Sequence, residues 1–132
     1  MKEKLIQYTV ELVKIPSVIG NEKEIADYVE SFLKKYLKNI IRYNNSLIAF
    51  NDFNQDKKTI TLLGHLDTVP GINQYTGQII DGKIYGLGAS DMKGGLAVMM
   101  SLIEYFFNKE RVYLISFRNL GKRLLFWKMD RW

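Results

Sequence analysis

The sequence predicts an α/β fold, a mixed sheet flanked by helices, and three observations carry that reading. Residues 3–15 and 25–36 repeat apolar side chains every three or four positions, as amphipathic helices do. Residues 59–65, TITLLGH, form a short and nearly continuous apolar run, as strands buried on both faces do. Residues 39–51 and 78–85 each place two short β-rich runs around a two-residue turn, as hairpins do. A chain of 132 residues suffices for one small domain with a modest core.

The elements follow in chain order. Leu5, Tyr8, Leu12 and Ile15 share a helical face, and Pro16 ends that helix. Asn21 and Glu24 have the spacing of a capping box at the start of a second helix. Its apolar face would hold Ile25, Tyr28, Phe32 and Tyr36, with Lys34 and Lys35 on the solvated side. Two strands then flank Asn44-Asn45, and residues 51–58, NDFNQDKK, read as a polar loop. After the strand at 59–65, a hairpin turns at Asp81-Gly82. The loop GLGASDMKGG opens a last helix running to about Asn108, with Leu96, Met100, Ile103 and Phe107 on its buried face. Met99 and Met100 read as core. No internal repeat or low-complexity segment interrupts this order.

Composition narrows the class. There is no cysteine, so neither a disulfide framework nor a thiolate metal site is available. The N-terminus alternates charged and apolar residues, and no stretch approaches the roughly 18 uncharged apolar residues of a membrane span. The expected location is the cytoplasm. The net charge of +5 suggests a nucleic-acid partner, but its distribution argues otherwise. Residues 1–110 hold 13 basic and 13 acidic side chains, whereas residues 111–132 hold six bases and one acid, together with both tryptophans. Neither nucleic acid nor a membrane is the expected partner of the body. The competing reading is a small non-catalytic α/β protein whose basic, aromatic tail binds nucleic acid or an anionic membrane.

The chemistry concentrates near residue 65. His65 is the only histidine, and it ends the apolar strand with Asp67 two residues on. In open α/β sheets, sites form just beyond the carboxyl ends of strands. A metal-ligating imidazole commonly gives its other N–H to an acceptor, which fixes the tautomer and raises ligand basicity. Residues i and i+2 of an extended segment face the same side, so the Asp67 carboxylate could support the ring. Asp91 closes a glycine-rich loop that could fold back to the same strand end. Zinc accepts both imidazole nitrogen and carboxylate oxygen. The plainer alternatives are a structural histidine, a helix N-cap at Asp91, and a phosphate cradle at Gly86-Leu87-Gly88 that lacks its third glycine.

The combination GHLDTVPG followed by GKIYGLGASDMKGGLAVMM resembles the paired metal-site motifs of the M20 family of zinc amidohydrolases and peptidases. The resemblance runs from about residue 3, through ELVKIPSVIGNEKEIADYV, to about residue 112. Within the family, the wording is most similar to the succinyl-diaminopimelate desuccinylase and acetylornithine deacetylase group. The resemblance implies the N-terminal part of a zinc-peptidase-like catalytic domain. It implies two Zn2+ ions per complete site, with Co2+ as a possible substitute. His65 would bind one zinc, Asp91 would bridge both, and Asp67 would be the catalytic-site residue that orients His65. A non-proline cis peptide would follow Asp91. Leu87 stands where relatives often carry arginine. The implied reaction is hydrolysis of an N-acyl amino acid or peptide amide by a metal-activated water. A homodimer is left open for an intact relative.

The family's further ligands, a Glu-Glu pair and a later histidine, have no counterpart in these 132 residues. No Glu-Glu pair occurs, and no glutamate follows Glu110. Codon arithmetic offers a reason. Phe126-Trp127-Lys128-Met129-Asp130 must be encoded TTY TGG AAR ATG GAY. Read from the third base of the Phe126 codon, this gives Leu-Glu-(Asn or Asp)-Gly whatever codons are used. In the same frame, Gly121-Lys122-Arg123 permits Glu-Glu five residues ahead of the Asn-Gly, similar to the family's pattern. The expected organisation is therefore residues 1–113 as the N-terminal part of the M20-like catalytic domain and residues 114–132 as an aberrant basic tail translated out of frame. Such a chain would be an inactive fragment.

Overall fold

The structure is a computed structural model that describes residues 1–51, 60–72, 74–106 and the backbone of 113–118. Helix α1, Lys2–Lys14, buries Thr9, Leu12 and Val13. It stops because Pro16 disfavours helical geometry in the residue before it. Ile15 is accordingly extended, at φ −88° and ψ 115°. Helix α2, Lys23–Leu33, buries Ile25, Ala26, Val29, Phe32 and Leu33.

The capping box expected at Asn21 and Glu24 does not form. The N-cap is Glu22, and no side chain caps the helix. Asn21 instead gives its backbone N–H to Val18 O at 2.7 Å, in a turn that precedes the helix. Glu22 is fully buried, and its carboxylate accepts from Gly20 N at 2.5 Å and Asn45 Nδ2 at 3.1 Å. The start of α2 is thus tied both to the turn before it and to the first hairpin, without a side-chain cap.

That hairpin is β1, Asn39–Tyr43, and β2, Ser46–Phe50, antiparallel from Asn39↔Phe50 to Tyr43↔Ser46. Asn44 adopts φ 52°, a left-handed conformation that asparagine tolerates. Strand β3, Ile60–His65, comes next. The second hairpin pairs β4, Gln78–Ile80, with β5, Lys83–Tyr85, around Asp81 and Gly82, both at positive φ. Helix α3 spans Gly94–Phe106 and buries Leu96, Met99, Met100 and Ile103, as its periodicity predicts. Phe107 and the end expected near Asn108 lie outside the described residues.

The larger sheet has the order β1-β2-β6-β3, where β6 is Tyr113–Arg118. β6 runs antiparallel to β2 and parallel to β3, from Ile60↔Tyr113 to His65↔Arg118. A parallel pair needs a long crossover, and α3 provides it. The boundary expected between residues 113 and 114 falls at the second residue of β6. The basic tail past Arg118 and most of the polar loop at 51–58 lie outside the described residues.

One face of the sheet is covered. Leu47 and Ala49 of β2 join Leu12, Ile25, Val29, Leu33, Leu96 and Met100 of the three helices in one core. The expectation that β3 is buried on both faces is corrected. Ile60 is 49% exposed and Leu63 62%. Among the described residues the helices pack on one face only, and β3 has β6 as its sole strand neighbour. The register aligns Ile41 with Ile48, and both Ile48 and Leu63 with backbone position 116 of β6; Ile41, Ile48 and Leu63 are exposed. The α/β class and the helix-flanked mixed sheet stand as predicted.

Candidate metal centre

The first wall of the site is the segment leaving β3. Gly64 is tightly packed: an added Cβ would stand 3.0 Å from both Leu96 Cδ2 and Met92 Cε, side-chain ends that would have to give way. His65 follows, its backbone N–H reaching Met92 Sδ at 3.3 Å. Asp67 is buried, and Thr68 is held by two backbone bonds to an earlier segment: Thr68 N donates to Ser17 O at 2.8 Å, and Ile19 N donates to Thr68 O at 3.1 Å.

The second wall is the turn between β5 and α3. Gly88 enters it at φ 78°, in the left-handed region, with Thr68 Cγ2 only 2.6 Å from where a Cβ would lie. The turn Ala89–Lys93 is kinked, since Asp91 and Met92 leave helical geometry. The peptide between them is cis, as the motif implies. Lys93 N closes the turn onto Gly88 O at 2.8 Å.

The two walls bring His65 and Asp91 together. His65 Nε2 lies 2.9 Å from Asp91 Oδ1, and the Asp91 side chain is 86% exposed. His65 Nδ1 donates to Asp67 O at 3.0 Å, a carbonyl that can only accept. The Asp67 carboxylate stands farther off, with Oδ1 at 3.7 Å from Nδ1. The support expected from the side chain of Asp67 is thus given more closely by its backbone.

This arrangement has an electrostatic consequence. With its proton on Nδ1, a neutral imidazole points a lone pair from Nε2 at a carboxylate. Two acceptors at that separation repel unless a proton or a cation lies between them. An imidazole nitrogen and a carboxylate oxygen form a donor pair suited to zinc in kind. In number they fall short, because a catalytic zinc takes about three protein ligands. No group of three or more His, Cys, Asp or Glu side chains suited to a metal occurs among the described residues. The pair lines a cleft of about 500 Å³ with Ile19, Val69, Gln74 and Leu87.

Sequence reasoning did not single out Thr68 or Lys93. Lys93 is 1% exposed, and its Nζ donates to Ile15 O at 2.6 Å. Burial pulls its ammonium down to about 8. The available signal was a lone lysine beside two glycines at the head of an apolar helix.

Residues 61–117 match the model of Peptidase family M20/M25/M40. Succinyl-diaminopimelate desuccinylase of Corynebacterium glutamicum is 39% identical over 98 residues, covering 72% of this chain and 26% of that protein. Among solved structures, aminopeptidase PepT of Bacillus cereus superposes with a TM-score of 0.74 at 25% identity, covering 89% of this chain and 36% of the other. The M20 family metallo-carboxypeptidase Sso-CP2 of Sulfolobus solfataricus shares the fold, with a TM-score of 0.73 at 23% identity, over 90% of this chain and 31% of the other. The fold and the paired motifs are those of a family of metallopeptidases and related hydrolases. The chain belongs to the M20 peptidase superfamily, and it spans about a quarter to a third of the length of these relatives. Among the described residues, no helix is long and apolar enough to cross a membrane.

Proposed function

We propose that this chain carries the first part of the active site of a metal-dependent hydrolase of amide bonds, of the desuccinylase and acetylornithine deacetylase kind. The observation that carries the reading is the convergence of His65 Nε2 and Asp91 Oδ1 at the carboxyl end of β3. His65 and Asp91 would hold zinc, and Asp67 would orient His65 through its carbonyl, with its carboxylate behind. The bound metal would supply an activated water and charge stabilisation for the attacked carbonyl. The chain's own contribution is to fix the imidazole tautomer through Nδ1 and to hold a carboxylate against Nε2. The substrate would be a small N-acyl amino acid or peptide, met in the cytoplasm, and the intact enzyme a homodimer.

The donors in these 132 residues are too few for that chemistry, so we assign the isolated chain as an inactive fragment. The tail is its second part. The family match runs through residue 117 and strand β6 through Arg118. The shifted frame permits Glu-Glu from Gly121 onward. The permitted Glu-Glu supports a change of frame within the tail expected from residue 114, of which the family match reaches residue 117.

The nucleotide sequence of the locus, from codon 105 to well past the stop, tests the proposal. The expected result is a shifted frame that stays open and encodes Glu-Glu, a further carboxylate and a late histidine. A shifted frame that closes at once would overturn it.

A further inference from the structure

We propose that Lys93 is a positioning residue. By reaching from the turn that carries Asp91 to the carbonyl of Ile15, it makes residues 15–19 the bracket that sets the spacing between His65 and Asp91. The inference rests on the metal-centre reading for its purpose, but its geometry stands apart from any metal.

Both walls of the site hang from the same five residues. Ser17 O and Ile19 N hold Thr68, three residues after His65, at 2.8 and 3.1 Å. Ile15 O takes the Lys93 ammonium, two residues after Asp91, at 2.6 Å. Pro16 stiffens the link between these anchor points. The two walls also meet directly. A Cβ on Gly88 would lie 2.6 Å from Thr68 Cγ2 and 3.2–3.3 Å from Lys93 Cδ and Cε, so the glycine is gripped between the two side chains.

The charge itself needs explaining. Lys93 is among the largest fully buried side chains, and no carboxylate pairs with it among the described residues. Its ammonium faces the Ile15 carbonyl, with the Tyr75 ring centroid 5.7 Å away. An unpaired buried ammonium costs stability that an apolar side chain of the same length would not. What the ammonium adds is a directed bond to one carbonyl. That bond fixes the second wall relative to the first.

The test uses the full chain and the variant Lys93→Met, which keeps an unbranched stem one atom shorter and removes the donor. His65 is the only histidine, so its imidazole nitrogens assign themselves in a long-range 1H–15N spectrum. At fixed pH, the variant is expected to move the His65 Nε2 signal. Hydrogen exchange at the amides of residues 91–94 should rise about tenfold, while α2 and β2 keep their protection. Unchanged His65 signals, or protection lost evenly across the chain, would overturn the proposal. If the variant does not fold, exchange in the unsubstituted chain decides. The amides of Ile19, Thr68 and Lys93 are expected to open together, and a Lys93 amide opening independently of the other two would overturn it. No arm requires zinc, so a failed metal reading leaves this test intact and a failed bracket leaves the metal reading intact.

Discussion

His65 Nε2 and Asp91 Oδ1 stand 2.9 Å apart although 26 positions separate the two residues in the chain. The contact exists because β3 ends at His65 while the turn before α3 folds back over the same sheet end. Each remaining feature of the site follows from how that approach is held.

The nearest acceptor to His65 Nδ1 is a backbone atom. Asp67 O, at 3.0 Å from Nδ1, is nearer than the Asp67 carboxylate at 3.7 Å. Asp67→Asn is therefore expected to leave the Nδ1–H tautomer in place, as read from imidazole 15N shifts. A switch to the Nε2–H tautomer would show that the carboxylate sets it.

Gly88 is required by conformation and by space at once. Its φ of 78° disfavours any side chain, and Thr68 Cγ2 would meet the new Cβ at 2.6 Å. Gly88→Ala is expected to destabilise the chain by about 2–4 kcal/mol in urea unfolding. A loss below about 0.5 kcal/mol would show that the turn relaxes freely.

Acid should loosen the contact between the first and third helices through Glu104. Its carboxylate pairs with Lys4 and accepts from Tyr8 OH at 2.9 Å and Tyr36 OH at 3.1 Å. The hydrogen bond from Lys4, then those from the tyrosines, hold its pKa below the usual 4.5 against the opposing effect of burial. The folded form thus binds the proton less readily than the unfolded chain. The contribution is fully present above the ordinary carboxylate range and is lost as pH falls through the depressed value. Glu104→Gln is expected to flatten the fall in stability between about pH 5 and pH 3. An unaltered acid limb would place that dependence elsewhere.

The open sheet face should govern solubility. Ile41, Ile48 and Leu63 are 55%, 40% and 62% exposed, and β3 offers an unpaired edge among the described residues. The chain is expected to aggregate with rising concentration, and Leu63→Lys to slow this without lowering the melting temperature. A sharp, concentration-independent melt of a monomer would count against it.

Much of this was legible in the sequence because it is local. Helical spacing at Leu5, Tyr8 and Leu12 gave α1, and Asn44-Asn45 and Asp81-Gly82 gave both hairpins. The shared site of His65 and Asp91 and the cis peptide after Asp91 were implied by the resemblance to the M20 motifs rather than by local pattern; the structure brings the two side chains to 2.9 Å and contains the cis peptide. What stayed hidden depends on partners distant in sequence. The exposure of Leu63 depends on which sheet face the helices cover, and an apolar run reads the same with one face covered or two. At the failed cap, the buried Glu22 is shared between Gly20 N, two residues back, and Asn45 of the first hairpin, and the second of these partners is distant in sequence. Lys93 read as one residue of a motif because its partner, the Ile15 carbonyl, leaves no trace in side-chain chemistry.

Zinc titration of the purified full chain, beside His65→Ala, tests the central claim that His65 and Asp91 are part of an incomplete metal centre. Structural zinc sites with a full ligand set gain roughly 10–16 kcal/mol on binding, and two donors supply only a fraction of that. The expected result is weak binding at less than one zinc per chain, lost in His65→Ala. Tight uptake of two zinc ions per chain would contradict the incompleteness, and binding indifferent to His65→Ala would contradict the site.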